Sequence, residues 1–136
     1  MNRAHAASLA FALCLATSQI ALCEEPLTHT KDSFDTVKEN LKAGKAVIVD
    51  VREQEEWDAG HLKGAVLMPQ SKLKVEAEAA ELAKKLDKSK VVYTHCRAGR
   101  RALVCGEILK KQGFDVRPLK AGFDELVGAG FEKADK

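Results

Sequence analysis

Short, almost unbroken runs of apolar residues recur along the chain and predict buried strands. The first covers 46–51 ("AVIVDV") and consists largely of β-branched residues. Two more cover 64–69 ("GAVLMP") and 90–95 ("KVVYTH"), and a fourth covers 114–119 ("FDVRPL"). Continuous apolar runs of this length are typical of strands that are buried on both faces of a parallel sheet.

The first segment with helical spacing comes directly before the first strand. We expect a helix that is capped by Asp32 or Ser33 and that ends at Gly44, a residue suited to helix termini. Its apolar face consists of Phe34, Val37 and Leu41.

Further helices are predicted between the later strands and after the last one. They are a short acidic helix closing at Gly60, a long helix over 73–86, a helix over 102–112 ending at Gly113, and a terminal helical turn over 122–130. In the long helix, Glu81 is placed to meet Lys85 one turn on. Its apolar face consists of Val75, Ala79, Leu82 and Leu86. The alternation of strands and helices predicts an α/β domain around a parallel sheet with right-handed crossovers.

Composition limits the choice of class. A chain of 136 residues is long enough for one domain with its own core and short for two. With 46% hydrophobic and 31% charged residues it has the composition of a globular protein. The net charge is +2 and no long block carries one sign, so nucleic acid is not expected as a partner.

Residues 1–23 differ from the rest of the chain. A basic residue at Arg3 precedes an uncharged run, rich in Ala and Leu, that extends from 6 to 23. This pattern predicts a secretory signal peptide, cleaved after Cys23 or close to it, and a mature domain over 24–136. The protein is then exported, periplasmic or extracellular, with no stable membrane association after cleavage. A retained membrane span and a lipoprotein remain as alternatives; Leu22 stands where lipidation favours a small residue.

Cleavage would change the cysteine count. Cys14 and Cys23 leave with the signal peptide, and Cys96 and Cys105 remain. Two cysteines nine residues apart, across a loop and a helix, make neither a disulfide framework nor a zinc motif, so no metal is expected. We expect Cys105 to be a buried apolar residue rather than a redox partner of Cys96.

The segment "HCRAGRR" places Cys96 in a basic loop between the third strand and a helix. In open parallel sheets, ligands bind beyond the carboxyl ends of the strands. The backbone amides of 97–101 and the helix N-terminus are expected to point toward the sulfur and to favour negative charge there. Gly99 allows a backbone conformation that a side chain would obstruct. We therefore predict that Cys96 is a thiolate nucleophile.

Two segments carry a resemblance to a known family. The loop "CRAGRR" resembles the active-site loop of the rhodanese (sulfurtransferase) family, small exported single-domain members above all. The segment over 47–69, with Asp50 and Arg52 followed by "EEW" and "GHLKGA", is similar to the second hallmark of that family. The closing segment over 116–130 also matches, although Leu126 stands where an aromatic residue is common. The resemblance covers roughly 27–131 and implies a rhodanese-like fold, with a central parallel sheet flanked by helices.

This resemblance implies a two-step sulfur transfer. Cys96 takes the outer sulfur of a small sulfur-containing anion and becomes a persulfide, and a thiol or cyanide then accepts that sulfur. No cofactor is required. The substrate-binding residues are implied to be those of the loop, whose amides and positive charges hold the anion: Arg97, Ala98, Gly99, Arg100 and Arg101. In the family, a basic residue directly after the cysteine accompanies thiosulfate use, so Arg97 favours thiosulfate.

Two other functions remain open. Cysteine phosphatases and arsenate reductases place five residues between the cysteine and the arginine, whereas Arg101 comes one position early and Ala102 occupies the sixth position. The shorter ring of amides favours a sulfur atom over a tetrahedral phosphate. The second alternative is a non-catalytic rhodanese-like module that carries sulfur or binds partners.

Three residues near the predicted edge of the sheet are candidates for a supporting role. Asp50 and Arg52 end the first strand, and His95 precedes the nucleophile. Arg52 is expected to pair with an acidic residue of the following helix, Glu55, Glu56 or Asp58, because partly buried charges are seldom left unpaired. His95 either tunes the thiol or simply packs. For His61 we expect a structural hydrogen bond rather than catalysis.

Overall fold

The computed structural model describes residues 24–135, and within them helices cover both faces of a four-stranded sheet. The predicted signal peptide, with Cys14 and Cys23, lies outside the described residues. In chain order the elements are α1 (Phe34–Lys42), β1 (Ala46–Asp50), α2 (Gln54–Ala59), β2 (Val66–Leu67), α3 (Gln70–Leu73), α4 (Glu76–Ala83), β3 (Val91–His95), α5 (Arg100–Lys111), β4 (Asp115–Pro118) and α6 (Phe123–Gly128).

All strand pairs are parallel, and the strand order is β2-β1-β3-β4. The chain moves outward in one direction from β1 to β2 and in the other direction from β3 to β4. The strand order therefore reverses between β1 and β3, where open α/β sheets place their ligand crevice. Asp50 at the end of β1 lies opposite His95 at the end of β3. The residues that follow these two strands meet at the crevice.

Two apolar cores lie on opposite faces of the sheet. Val49 and Val92 point into one core with Leu109, whereas Ile48 and Tyr93 point into the other. Successive side chains of a strand point to opposite faces. Because both faces are covered, β1 and β3 need apolar residues at almost every position, which explains the unbroken runs that predicted them.

The predicted helix over 73–86 is wrong as a single element. The chain forms α3 and α4 with a turn between them, and Val75 caps α4 with an extended backbone and 48% exposure. Of the predicted apolar face, Ala79 is fully buried. Glu81 pairs with Lys84 at 2.6 Å rather than with Lys85. The apolar spacing continues across the turn, so periodicity alone does not reveal the break.

The other elements differ from the predictions mainly at their ends. The strand expected over 64–69 is shorter in the structure, where only the two residues of β2 pair with β1. Both are half-buried because β2 is an edge strand. Helix α5 begins at Arg100, two residues before the predicted start, because Gly99 serves as its N-cap. Helix α1 begins after Ser33, whose side chain accepts a hydrogen bond from the Thr36 amide, as the capping pattern predicted. No helix in the range 24–135 has the length and apolar character needed to span a bilayer.

Candidate active site

Cys96 lies directly after β3, and residues 97–99 turn the chain into α5. Gly99 has φ +86°, in the left-handed region that favours glycine. A Cβ at this position would stand 2.8 Å from the Lys120 carbonyl oxygen and 2.9 Å from His29 Nε2. Both the conformation and the close neighbours therefore require glycine in the turn.

The turn directs a backbone donor at the sulfur. The Gly99 N–H donates to Cys96 Sγ at an N···S distance of 3.1 Å. This bond lies at the N-terminus of the 12-residue helix α5, where the helix dipole favours negative charge. Among residues 24–135, Gly99 alone supplies an amide hydrogen bond to the sulfur, whereas the sequence predicted that all amides of 97–101 converge on it.

Cys96 and Cys105 both belong to the core between the sheet and α5. Cys96 is 1% exposed, so its sulfur lies under the turn rather than on the surface. Cys105 is fully buried, as predicted, and burial raises the pKa of its thiol to about 12. Cys105 is therefore a neutral thiol at physiological pH, and no disulfide joins Cys96 to Cys105.

The arginines of the loop have different environments. Arg97 and Arg100 are exposed, as is Ala98 between them. Arg101 instead donates two hydrogen bonds to Glu56 of α2, at 2.6 Å to Oε2 and 2.8 Å to Oε1. The Arg101 guanidinium lowers the pKa of Glu56 to about 2, and Glu56 in turn raises the pKa of Arg101. Of the three predicted anion-binding arginines, Arg101 is thus already paired with a carboxylate.

The predicted pairing of Arg52 with Glu55, Glu56 or Asp58 is wrong. Arg52 is almost fully buried and makes a two-pronged contact with Asp50, at 2.9 Å from Nε to Oδ1 and 2.7 Å from Nη2 to Oδ2. It also donates to the Gly60 carbonyl at 2.8 Å. Residues two apart in an extended chain lie on the same side, so Asp50 is nearer to Arg52 than the helix that follows.

His95 stands beside this buried pair. Its Nε2 lies 3.6 Å from Asp50 Oδ2, and neither ring nitrogen has a hydrogen-bond partner among the described residues. Burial lowers the pKa of His95, although the Asp50 carboxylate opposes the shift. A buried imidazole and a paired carboxylate therefore lie side by side at the ends of β3 and β1, directly before Cys96 in the case of His95.

The C-terminal part of the chain completes the surroundings of the turn. The Phe123 N–H donates to the Cys96 carbonyl at 3.0 Å, and a Cβ at Gly122 would stand 1.8 Å from the Arg97 carbonyl oxygen. The guanidinium of Arg52 lies 4.3 Å from the centroid of the Phe123 ring. The start of α6 is therefore packed tightly against the backbone of the cysteine turn.

A cleft of about 400 Å³ opens beside the turn. It is lined by residues from four parts of the chain: Arg52, Glu56, Ala59, Gly60, Arg97, Phe123, Asp124 and Lys133. Sequence reasoning gave Phe123 and Lys133 no part in the site, and it named Glu56 only as a possible partner of Arg52. Phe123 follows Gly122 in the closing segment over 116–130, which resembles the family. Membership of that segment was the one signal in the sequence that pointed to Phe123.

The N-terminal segment braces the turn from the other side. His29 Nε2 donates to the Gly99 carbonyl at 3.1 Å, and the Thr30 amide donates to the Pro118 carbonyl at 2.8 Å. The same Gly99 residue thus holds the cysteine sulfur through its N–H and His29 through its carbonyl. His61, in contrast, stacks on Trp57 and donates to the Trp57 carbonyl, in agreement with the predicted structural hydrogen bond.

The parallel sheet and the cysteine turn at its crevice define a class of α/β proteins that place a thiol directly before the N-terminus of a helix. A family model described as a Rhodanese-like domain matches residues 33–129. The chain therefore belongs to the rhodanese-like family, which confirms the resemblance in the motifs.

Curated relatives include a thiosulfate sulfurtransferase, an uncharacterized protein and a protein named as a putative sulfur carrier. The thiosulfate sulfurtransferase GlpE of Coxiella burnetii is 32% identical over 87 residues, which cover 63% of this chain and 76% of that protein. The uncharacterized protein YqhL of Bacillus subtilis is 33% identical over 94 residues, 67% of this chain and 70% of YqhL. The putative sulfur carrier protein YrkF of the same organism is 31% identical over 83 residues, 60% of this chain. The chain spans only 42% of the length of YrkF.

Solved structures share the fold. The human single-domain sulfurtransferase TSTD1 has a TM-score of 0.60 and 23% identity, with 76% of this chain and 96% of that chain covered. The BH2092 protein of Bacillus halodurans has a TM-score of 0.63 and 24% identity, with 74% and 73% covered. At this identity the likeness establishes the rhodanese-like fold.

Proposed function

We propose that the protein is a sulfurtransferase that carries a sulfane sulfur as a persulfide on Cys96. The observation that carries this proposal is the hydrogen bond from the Gly99 amide to Cys96 Sγ at the N-terminus of α5. A backbone donor and a helix dipole at the sulfur stabilise the thiolate that attacks and the persulfide anion that results.

Each half of the reaction breaks one bond to sulfur and forms another. The Cys96 thiolate attacks the outer sulfur of thiosulfate, the sulfur–sulfur bond of the donor breaks, and its electron pair leaves with sulfite. Cyanide or a thiolate then attacks the outer sulfur of the Cys96 persulfide. The product is thiocyanate or a new persulfide, and the Cys96 thiolate is restored without an external oxidant or reductant.

Thiosulfate is proposed as the donor because the residue after the nucleophile is a cation at the cleft that forms no ion pair with any of the described residues, 24–135. Arg97 is exposed and lines the cleft beside the turn. A sulfonate group is attracted by such a charge. A relative of similar length, GlpE of Coxiella burnetii, is named a thiosulfate sulfurtransferase.

A sulfur carrier is the second candidate, and the burial of Cys96 favours it. At 1% exposure, the sulfur is shielded from solvent, which suits storage of a persulfide between a donor and a specific partner. The relative YrkF is named a putative sulfur carrier protein. Phosphatase or arsenate reductase activity is less well supported, because the loop is one residue shorter than those reactions use.

An experiment that distinguishes a sulfurtransferase from a sulfur carrier measures how many equivalents of thiocyanate each protein molecule forms. The purified domain over 24–136 is incubated with thiosulfate and then with cyanide, and thiocyanate is quantified. A sulfurtransferase produces many equivalents of thiocyanate per protein, and Cys96→Ser produces none. A carrier accepts one sulfur and releases it slowly to cyanide. Hydrolysis of a phosphate ester without any thiocyanate would reject both.

We also propose that residues 1–23 direct export of the chain. The support is the basic start and the uncharged run of this segment. The mass of the protein recovered from the producing cell tests this proposal. The mass of a chain that begins near residue 24 agrees with cleavage. The mass of a chain that carries lipid on Cys23 indicates a lipoprotein. The mass of the full-length chain, found in the cytoplasmic fraction, rejects export.

A further inference from the structure

The donor proposed above carries two negative charges, and the cysteine loop supplies fewer free cations than its sequence suggests. Arg101 is held by Glu56, and Arg52 is held by Asp50. Arg100 does not line the cleft. Arg97 is therefore the loop cation available to a dianion in this cleft.

A second cation reaches the same cleft from the end of the chain. Lys133 is exposed, and it forms no ion pair with any residue between 24 and 135. Its Nζ lies 5.8 Å from the centroid of the Phe123 ring and 3.9 Å from the position of a Cβ on Gly60. The Phe123 amide is bonded to the Cys96 carbonyl, so Phe123 neighbours both the ammonium group and the nucleophile's turn.

The backbone around Lys133 is fixed, although the segment forms no helix. Lys133 pairs with Leu62 in an antiparallel bridge. On either side of it, the Lys63 amide donates to the Glu132 carbonyl at 2.9 Å and the Ala134 amide donates to the His61 carbonyl at 3.0 Å. The side chain therefore starts from a defined point at the rim of the cleft.

We propose that Lys133 is a donor-binding residue, which together with Arg97 holds the sulfonate end of a dianionic sulfur donor. This inference rests on the proposed sulfurtransferase function and names the site that its donor occupies. Asp124 also lines the cleft and forms no ion pair within residues 24–135, so the charges there that lack a partner in this range are two positive and one negative. Lys133 lies beyond the residues that the family model matches, which end at 129, whereas Arg97 lies within them.

Arg97 and Lys133 should bind both the donor, thiosulfate, and the leaving group, sulfite. Thiosulfate and sulfite each carry a sulfonate-type head, so the same two cations hold both of them. Removal of the Lys133 charge should raise the KM for thiosulfate and weaken product inhibition by sulfite by similar factors. Release of sulfur from the loaded enzyme to cyanide should be unchanged, because that step involves no sulfonate.

The test compares Lys133→Gln with Lys85→Gln and Lys133→Arg. Lys85→Gln is the matched control, because it removes the same charge from an exposed lysine that does not line the cleft. We expect Lys133→Gln to raise the KM for thiosulfate roughly twofold to fivefold at low ionic strength, since exposed charge pairs contribute this much. The increase should shrink with added salt, and Lys133→Arg should restore the KM.

Three results would overturn the proposal. An equal KM for Lys133→Gln and Lys85→Gln rejects the donor-binding role while the sulfurtransferase function stands. A fall in kcat and in the rate of cyanide discharge, with KM unchanged, indicates a structural role of the C-terminal segment instead. Failure of the wild-type protein to accept sulfur from thiosulfate rejects both the function and this site.

Discussion

The guanidinium of Arg101 lies against the carboxylate of Glu56 with both of its terminal nitrogens bonded, at 2.6 and 2.8 Å. This pair ties the first turn of α5 to α2, and its Glu56 lines the cleft. This arrangement predicts that Arg101 holds the loop and neutralises Glu56, rather than binding the donor directly.

Removal of Arg101 should therefore harm donor binding through Glu56. In Arg101→Gln the Glu56 carboxylate is left without its partner beside a site for anions, and we expect the KM for thiosulfate to rise about fivefold or more. The double variant Glu56→Gln/Arg101→Gln should recover most of this loss. A double variant that is no better than Arg101→Gln would show that Arg101 binds the donor itself. Arg100→Gln serves as the control for loss of a loop charge.

The same ion pair predicts a pH dependence of stability. The pKa of Glu56 falls from an ordinary value of 4.5 to about 2 in the folded protein. At pH values between these two, the unfolded chain binds a proton that the folded chain does not, so the stability that the pair contributes above pH 5 is lost as the pH falls toward 2. Thermal unfolding of wild type and Glu56→Gln should differ by a few degrees at pH 7 and converge near pH 2. A constant difference across this range would contradict the assignment.

Gly99 should tolerate no side chain. In Gly99→Ala the methyl group meets the Lys120 carbonyl oxygen at 2.8 Å in a left-handed backbone, so we expect a loss of about 1–3 kcal/mol in stability and a large loss of sulfur loading. Gly44→Ala is the control, because Gly44 has φ +69° but no neighbour within 4 Å of its Cβ position. That variant should lose about 1 kcal/mol and keep normal loading. Equal sulfur loading by Gly99→Ala and Gly44→Ala would show that the geometry of the turn is not needed for the reaction.

His29 should act as a positioning residue for the Gly99 peptide. Loss of its hydrogen bond to the Gly99 carbonyl in His29→Ala should lower the rate of sulfur loading roughly twofold to tenfold, as the net contribution of one hydrogen bond implies. His29→Gln keeps an N–H donor and should restore part of the rate. His61→Ala is the control, since His61 also donates to a backbone carbonyl at 3.1 Å but lies away from the turn. Similar rates in both alanine variants would reject the positioning role.

The strands that build the crevice could be predicted almost to the residue. Strands β1 and β3 lie in the centre of the sheet between two cores, so their sequences are apolar at nearly every position and their ends are clear. The edge strand β2 and the broken α3–α4 segment were predicted less well. Their apolar residues continue across turns that depend on tertiary packing, and Val75 looks like a core residue although it is half exposed.

The site was predictable only where its residues are neighbours in sequence. Cys96 and Gly99 share one turn, so the pattern of the loop located them. The partners of the arginines depend on distances across the fold: Arg101 reaches Glu56 on another helix, and Arg52 turns back to Asp50. Lys133 joins the cleft through a single antiparallel bridge for which the sequence carries no signal.

The most direct measurement of the central claim is the mass of the protein after exposure to thiosulfate, followed by mapping of the modified peptide. We predict a gain of one sulfur atom in the wild type and in Cys105→Ser, located on Cys96 and removed by cyanide, and no gain in Cys96→Ser. A wild-type protein that gains no sulfur, or a Cys96→Ser variant that still does, would contradict the account.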